Sequence, residues 1–449
     1  MREREIALYA ITDILKEKAY NNIVLRKTLN KNSHLSMVQR AFITELVNGT
    51  LRNMIQLDYI ISLYSRTPLN KMKPFIINNI RISVYQIMYM DKVPDSAACN
   101  EAVELCKKRG FSNLSGFVNG VLRNIARNKD NIKYPDFNEK PLEYLSVKYS
   151  YPMWILEYWG KEFSVEQLEK ICQSNRKPPF VTACVNTVYF KPEQVREYLS
   201  MQDGVAVTDG IFMENSFILS KTKDITQTRA FQMGMFHIMD ESSMLAVEIL
   251  SPQPDTTMLD VCSAPGGKSF FGAYKMKNKG KIIARDVYEH KIELINDGVN
   301  RLRLSSIEAE LFDAEKTDEK YIDGVDYLLI DAPCSGLGLA RKKPDVKYNK
   351  TYEDIASLVQ LQRNIISASV GYVKPGGIMV YSTCTISYRE NIENVKWICD
   401  NFDFEMVDIT PVLPEKIKCA TAKDGYIQIL PGDYGTDGFF IAKFKRKLR

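Results

Sequence analysis

Two hydrophobic rhythms divide the chain. In residues 1–130 apolar positions recur at helical spacing. Ala7, Ile11, Ile14 and Leu15 fall at i, i+4, i+7 and i+8, and Ile76, Ile80, Val84 and Ile87 repeat the stripe. Ser36, followed by Gln39 three residues later, has the spacing of a capping box. Pro68, Pro74 and Pro94 break the segment into several helices, and 101–109 and 118–125 read as further ones. From Asp240 onward the rhythm changes to short apolar runs alternating with amphipathic ones. Strands are expected at 257–262, 281–285, 306–311, 325–330 and 377–382, with helices at 243–250, 269–277, 288–303, 354–372 and 388–399. Such alternation predicts a mostly parallel sheet covered by helices. Gly376-Gly377 is expected to turn the chain before a strand, and 438–444 to pair antiparallel with 426–430 at a sheet edge.

Between these regions, residues 127–143 are polar and contain two prolines, and read as a linker. Residues 144–240 mix types, with helices near 151–159, 165–174 and 194–200, a strand at 180–188, and short strands at 206–207, 217–219 and 235–238. The expected organisation is therefore an all-α domain at 1–130, a small α+β module at 144–240 and an α/β domain at 241–449. No internal repeat or low-complexity segment interrupts it.

Composition narrows the class. A 45% hydrophobic and 26% charged content is that of soluble globular protein. No uncharged apolar run approaches the ~18 residues of a membrane span, and the opening Met-Arg-Glu-Arg-Glu is unlike a secretory signal. Nine cysteines without a C-x-x-C pair do not form a disulfide framework or a zinc site, which points to a reducing cytoplasm. Three isolated histidines, His34, His237 and His290, make a histidine-based metal site improbable. The net charge of +5 is unevenly spread: residues 1–130 hold 20 basic and 11 acidic residues, the remainder 40 and 44. A polyanionic partner such as nucleic acid fits that asymmetry, and from charge alone a solvated basic face fits it equally.

The chemistry concentrates around Met258-Leu-Asp-Val-Cys-Ser-Ala-Pro-Gly-Gly-Lys-Ser-Phe270, an apolar run, a tight loop and a helix start. This is the first strand–loop–helix unit of a doubly wound sheet, whose ligands bind at the carboxyl ends of the strands. The loop lacks G-x-G-x-x-G, so a pyrophosphate cradle is not its first reading. Further runs end in acids at Asp286, Asp313 and Asp331, and a carboxylate at Asp286 can accept hydrogen bonds from both ribose hydroxyls of a nucleoside. Two cysteines follow strands, in Asp331-Ala-Pro-Cys334-Ser-Gly and Ser382-Thr-Cys384-Thr. Either one alone reads best as a core cysteine. Two together at one sheet edge, beside a nucleoside-type loop and three strand-end acids, read as nucleophilic chemistry.

Two resemblances follow from these motifs. Arg40-Ala-Phe-Ile-Thr-Glu-Leu-Val-Asn-Gly-Thr-Leu-Arg52, Tyr85-Gln-Ile-Met-Tyr89, Asn100-Glu-Ala-Val-Glu104 and Phe117-Val-Asn-Gly-Val-Leu-Arg123 resemble the NusB-type helical RNA-binding domain. The cofactor-type loop, the two cysteine motifs, Asp240-Glu-Ser-Ser-Met244 and Thr436-Asp-Gly-Phe-Phe-Ile441 together resemble the RNA 5-methylcytosine methyltransferases. Within these they are most similar to the bacterial small-subunit rRNA branch, the Sun or Fmu type.

The resemblance implies a Rossmann-like class I methyltransferase domain and S-adenosylmethionine as cofactor. The methionine part would lie on Cys262, Ser263, Ala264, Pro265, Gly266, Gly267 and Lys268. Asp286 would hold the ribose, Asp313 the adenine amino group, and Asp331 would close the site. It further implies Cys384 as the nucleophile adding to cytosine C6, Asp331 on N3 and Cys334 assisting release of the product, on a base taken out of its stack. No metal and no membrane are implied, and nothing points beyond a monomer.

Three positions depart from the family pattern. Arg341 is followed by Lys342 rather than a second arginine, Tyr348 stands where a tryptophan is usual, and Thr182-Ala-Cys-Val-Asn186 lacks an arginine. Lysine keeps the charge but not the planar fork of a guanidinium. Two other readings are a nicotinamide-dependent oxidoreductase, opposed by the missing glycine fingerprint, and an RNA-binding assembly factor with an inactive catalytic domain, opposed by the intact acids and cysteines. A tRNA rather than an rRNA target is the further alternative.

Overall fold

In the computed structural model, which describes residues 3–17, 19–176, 179–201, 203–220 and 224–448, the helical stripes of the N-terminal third close on one another. α1 (Glu3–Glu17), α2 (Asn21–Lys31), α3 (Met37–Arg52), α4 (Met54–Tyr64), α5 (Pro74–Tyr89), α6 (Asp95–Lys108) and α7 (Ser115–Asn128) surround one apolar core. Ile11, Ile14, Ile80 and Val84, the expected stripe positions, are buried in it, and Leu15 packs against its edge. The capping box forms as spaced: Ser36 Oγ accepts from Gln39 N at 3.4 Å, and Gln39 Oε1 accepts from Ser36 N at 2.9 Å. Glu5, fully buried, is matched by Lys108 and Arg109.

α8 (Pro141–Tyr149) begins inside the stretch read as linker. Proline sits in its first turn, where a missing N–H leaves no helical bond unmade. α8, α9 (Met153–Trp159) and α10 (Val165–Ser174) belong to the same compact unit as the first seven helices, and Ser150 Oγ accepts from Gln56 N at 2.9 Å.

That unit comprises residues 1–178 and, from far along the chain, 340–350. The distant segment caps helices. Asp345 Oδ2 accepts from Asn21 N at 3.1 Å, at the start of α2, where Tyr20 offers no side-chain cap. Lys347 Nζ donates to Arg52 O at 3.0 Å, at the end of α3. The carboxylate opposes the dipole charge at a helix start, and the amine supplies a donor to a carbonyl left open at a helix end. Tyr348 Oη donates to Ser150 O at 3.2 Å, so the residue in the tryptophan position has a hydrogen bond that its hydroxyl alone supplies.

The second unit, residues 179–339 and 351–449, holds two sheets. β1 (Val181–Val185), β2 (Ala206–Asp209), β3 (Ser216–Ser220) and β4 (Phe236–Ile238) form an antiparallel sheet in the order β2-β3-β1-β4, accompanied by α11 (Pro192–Met201) and the short α12 (Arg229–Gln232). Asn186 Nδ2 donates to Gly234 O at 3.0 Å beside β4 and ties the module to the following domain by donating to Leu302 O at 3.1 Å.

The larger sheet is built from β5 (Thr257–Asp260), β6 (Lys281–Asp286), β7 (Ile307–Leu311), β8 (Val325–Asp331), β9 (Val373–Thr383), β10 (Phe404–Met406), β11 (Tyr426–Ile429) and β12 (Phe439–Arg446). Its order is β10-β12-β9-β8-β5-β6-β7, with β11 also paired to β12. The five strands β9-β8-β5-β6-β7 are parallel. The helices of this domain are α13 (Glu241–Leu250), α14 (Gly267–Lys275), α15 (Glu289–Leu302), α16 (Tyr352–Ser369) and α17 (Ile392–Asn401).

Two local expectations change. Gly376-Gly377 does not precede the strand but lies within β9. There Val373 pairs with Val325 and Ile378 with Tyr327, so the extra residues form a bulge, with Gly376 at φ +78°. β12 does pair with 426–429, but it is inserted between β9 and the β10/β11 side rather than lying at the edge. Among the described residues no helix is long and apolar enough to cross a membrane.

Lys347 gives this architecture a pH signature. Burial pushes its ammonium well below the ordinary lysine range, and Arg52 nearby adds to that. The unfolded chain therefore binds a proton that the fold excludes, and stability falls as pH drops from about 10 toward the lowered value. Lys347→Met removes that slope. Its stability relative to the parent chain should rise as pH is lowered from about 10 to 7 in denaturant titrations. A gap that stays constant with pH would overturn this account.

Candidate active site

β5 delivers the chain to the carboxyl edge of the sheet at Asp260, and residues 261–266 turn it into α14. The turn is pinned by backbone hydrogen bonds: Ser263 N donates to Arg285 O of β6 at 2.7 Å, and Gly266 N to Ser263 O at 2.8 Å. Gly266 has φ +103°, and a Cβ there would stand 2.5 Å from the Phe270 ring, so only glycine fits. Ser269 Oγ, 2.9 Å from Ser263 Oγ, donates to Asp260 Oδ2 at 2.8 Å. Asp260 is fully buried, its Oδ1 has no hydrogen-bond partner, and burial pushes its carboxyl up to about 7. Behind the loop His237 lies with Nδ1 3.1 Å from Tyr274 Oη. Burial lowers its pKa to about 3, which keeps the ring neutral.

The other strand ends line the same edge. Asp286, buried, accepts from Tyr288 N at 3.3 Å and Lys291 Nζ at 3.3 Å. Asp313, two residues beyond β7, accepts from Glu315 N at 3.1 Å. Between them Arg285 is buried, pairs with Glu310 at 2.7 Å, and lies 4.1 Å from the centre of the Phe312 ring. It braces the chain immediately before Asp313.

The two cysteines meet. Asp331 and Ser382 are Cα partners across β8 and β9, and Ser382 Oγ donates to Asp331 Oδ1 at 2.7 Å. Asp331 Oδ2 takes Lys268 Nζ at 2.7 Å, so the lysine of the cofactor-type loop reaches across to the acid of the cysteine loop. Three residues beyond Asp331 and two beyond Ser382, the Cys334 and Cys384 sulfurs lie 3.1 Å apart. Their loops are locked together. Gly338 N donates to Cys384 O at 3.1 Å, and Gly438 N to Gly338 O at 3.0 Å. A Cβ at Gly338 would stand 2.2 Å from Gly438 O, which gives the 436–441 motif a place in the site. The contact with Cys384, then burial, then the neighbouring carboxylates Glu390 and Asp331 hold the Cys334 thiol well above its usual range. Burial pushes Cys262 up as well. All nine cysteines are free. Among the described residues no group of three or more His, Cys, Asp and Glu is arranged to hold a metal ion.

The expected residues thus fall into two clusters joined by the Lys268–Asp331 pair. One is the loop 262–268 with Asp286 and Asp313 at neighbouring strand ends. The other is Asp331, Cys334 and Cys384. Sequence reading missed Ser382, Arg285 and a buried polar group formed by Gln362, Glu390 and Asn394. A signal existed for two of these. Gln362 interrupts the stripe Ile355, Val359, Ile366, and Asn394 precedes Val395 and Ile398 on the buried face of α17. A polar residue on an apolar stripe needs a partner.

Comparison with known proteins agrees with this geometry. Three family descriptions match successive parts of the chain: the NusB family over residues 1–127, the RsmF/B-like ferredoxin-like domain over 151–226, and 16S rRNA methyltransferase RsmB/F over 247–445. A Bacillus subtilis protein named as probable ribosomal RNA small subunit methyltransferase B is 41% identical over 447 residues, covering 99% of this chain and 98% of that one. A Synechocystis protein of the same name is 32% identical, with 99% of each covered. The crystal structure titled PH0851 superposes with a TM-score of 0.81 at 24% identity over 99% of both chains, a likeness of fold. The chain belongs to the RsmB/F family of 16S rRNA methyltransferases, enzymes that depend on S-adenosylmethionine.

Proposed function

We propose that this protein methylates C5 of a cytosine in small-subunit rRNA through a covalent bond between Cys384 and C6 of the base. It would act as a single chain in the cytoplasm, with the NusB-like helices docking the RNA. The observation that carries the reading is the pair of sulfurs 3.1 Å apart at the ends of β8 and β9, beside the Lys268–Asp331 pair.

The loop 262–268 fits the cofactor. Gly266 presents backbone without a Cβ, Asp260 keeps an unpartnered buried oxygen beneath the loop, and Asp286 ends the next strand in a position to accept from ribose hydroxyls. Asp313 follows β7, where an adenine amino group would be met. When bound, S-adenosylmethionine supplies an electrophilic methyl group on a sulfonium.

The chain's own residues make cytosine able to take that methyl group. C5 of cytosine is a poor nucleophile. The Cys384 thiolate forms a sulfur–carbon bond at C6, which gives C5 enamine character. Asp331, fixed by Lys268 and Ser382, would hydrogen-bond N3 and hold the charge that develops on the ring. After methylation a base takes the proton from C5, the Cys384–C6 bond breaks, and the 5,6 double bond returns. Cys334, adjacent to Cys384, would assist that release. A target base must leave its stack to enter such a site, which suits a loop or bulge in structured RNA.

Incubation of 16S rRNA transcripts with labelled S-adenosylmethionine, followed by nucleoside analysis, tests the reaction. The expected result is a 5-methylcytosine peak that falls to background in Cys384→Ala. Transfer to tRNA but not to rRNA would overturn the substrate. Bound cofactor with no transfer to any RNA would instead favour an RNA-binding assembly factor. Denaturing gels give a second prediction: Cys334→Ala should accumulate a protein–RNA adduct that survives denaturant and is missing from Cys384→Ala. Equal, adduct-free loss of activity in both variants would contradict the division of labour between the two thiols.

A further inference from the structure

Beneath the two cysteine loops lies a fully buried carboxylate that the chemistry above does not use. Glu390 is 0% exposed. Its Oε1 accepts from Ser335 N at 2.7 Å and from Gln362 Nε2 at 3.2 Å, and its Oε2 accepts from Ser335 Oγ at 2.7 Å. Ser335 is the residue after Cys334. Its hydroxyl also lies 2.9 Å from Oγ1 of Thr385, the residue after Cys384. The carboxylate therefore grips a residue whose side chain reaches across to the other cysteine loop.

The surroundings are arranged to keep that grip. Gln362 also donates to Pro333 O at 2.9 Å, on the other side of Cys334. Asn394 Nδ2 donates to Gln362 Oε1 at 2.8 Å, and Tyr381 Oη donates to Glu390 O at 2.7 Å. Asn391 Nδ2 donates to Thr385 O at 3.0 Å. A buried carboxylate costs several kcal/mol unless donors compensate it, and removing it leaves Ser335 N without its acceptor. A neutral amide offers one accepting oxygen in place of two, so it could not hold Ser335 N, Ser335 Oγ and Gln362 Nε2 together.

We propose that Glu390 is a positioning residue of the methyl-transfer site: through Ser335 it clamps the Cys334 loop against the Cys384 loop and so sets the rate at which Cys384 is released from the methylated base. The proposal rests on the covalent reading given under Proposed function.

The test uses the full-length protein, with Glu390→Gln, Ser335→Ala and Cys334→Ala compared on the same RNA substrate. Glu390→Gln removes the charge and one acceptor while keeping the shape. The expected result is cofactor affinity within about twofold of the parent, single-turnover adduct formation retained, and steady-state turnover lowered about tenfold or more, the scale of a small misplacement at a reacting centre. The denaturant-resistant adduct should accumulate as in Cys334→Ala. Ser335→Ala should shift the same balance, which keeps the proposal open to refutation should Glu390→Gln fail to fold. A purely structural role predicts cofactor affinity, adduct formation and turnover falling together, and that outcome, or unchanged turnover, overturns the proposal. Adduct accumulation in Cys334→Ala but not in the Glu390 and Ser335 variants defeats this inference alone. No adduct in any variant defeats the covalent reading on which it rests.

Discussion

The register between β8 and β9 is the constraint on which the catalytic end of the molecule depends. Because Asp331 and Ser382 are opposite each other in a parallel pair, the residues that follow leave the sheet side by side. Successive side chains on a strand point to opposite faces, so a slip of one residue would send either Asp331 or Ser382 to the wrong side and separate the two sulfurs. The glycine bulge in β9 lies upstream of this point and absorbs the extra residues before the register is set. Lys268 then closes the arrangement from the start of α14, beyond the end of β5, by pairing with the same acid. Three separate stretches of sequence thus share one carboxylate. The acid, the two sulfurs and the loop 262–268 come together at one edge, and a doubly wound sheet supplies that edge without further design.

Much of this was legible before any coordinates. The helical stripes of the first 130 residues, the strand–helix alternation after residue 240 and the acids and cysteines at strand ends are local signals, and they survive folding because burial follows them directly. What was not legible is long-range. Gly376-Gly377 has the composition of a turn, and only its pairing with β8 makes it a bulge. The weak alternation of residues 438–444 hid a strand buried on both faces inside the sheet, where Phe440, Ile441 and Ala442 are all fully covered. Glu390 stands in a polar run, Ser387-Tyr-Arg-Glu-Asn391, that gives no hint of burial. Its partners are 55 and 28 residues away. Charge patterning read the N-terminal third as a basic surface but could not assign Lys347 or Asp345, which lie far outside it and cap its helices.

The segment 340–350 changes what kind of object the helical unit is. It begins six residues after Cys334 and ends two residues before α16, yet it is built into the fold of residues 1–178. The backbone consequently passes from one compact unit to the other three times rather than once. A tandem of two domains on a single tether can be separated by one cut, recombined with other partners, or lost piecemeal over generations. This pair cannot. Severing the chain after residue 178 leaves two covalent crossings intact. Deleting the helical unit strands a buried lysine, a buried aspartate and a tyrosine with nothing to cover them. The NusB-like and methyltransferase parts of this enzyme are therefore obliged to be inherited, made and degraded as one piece.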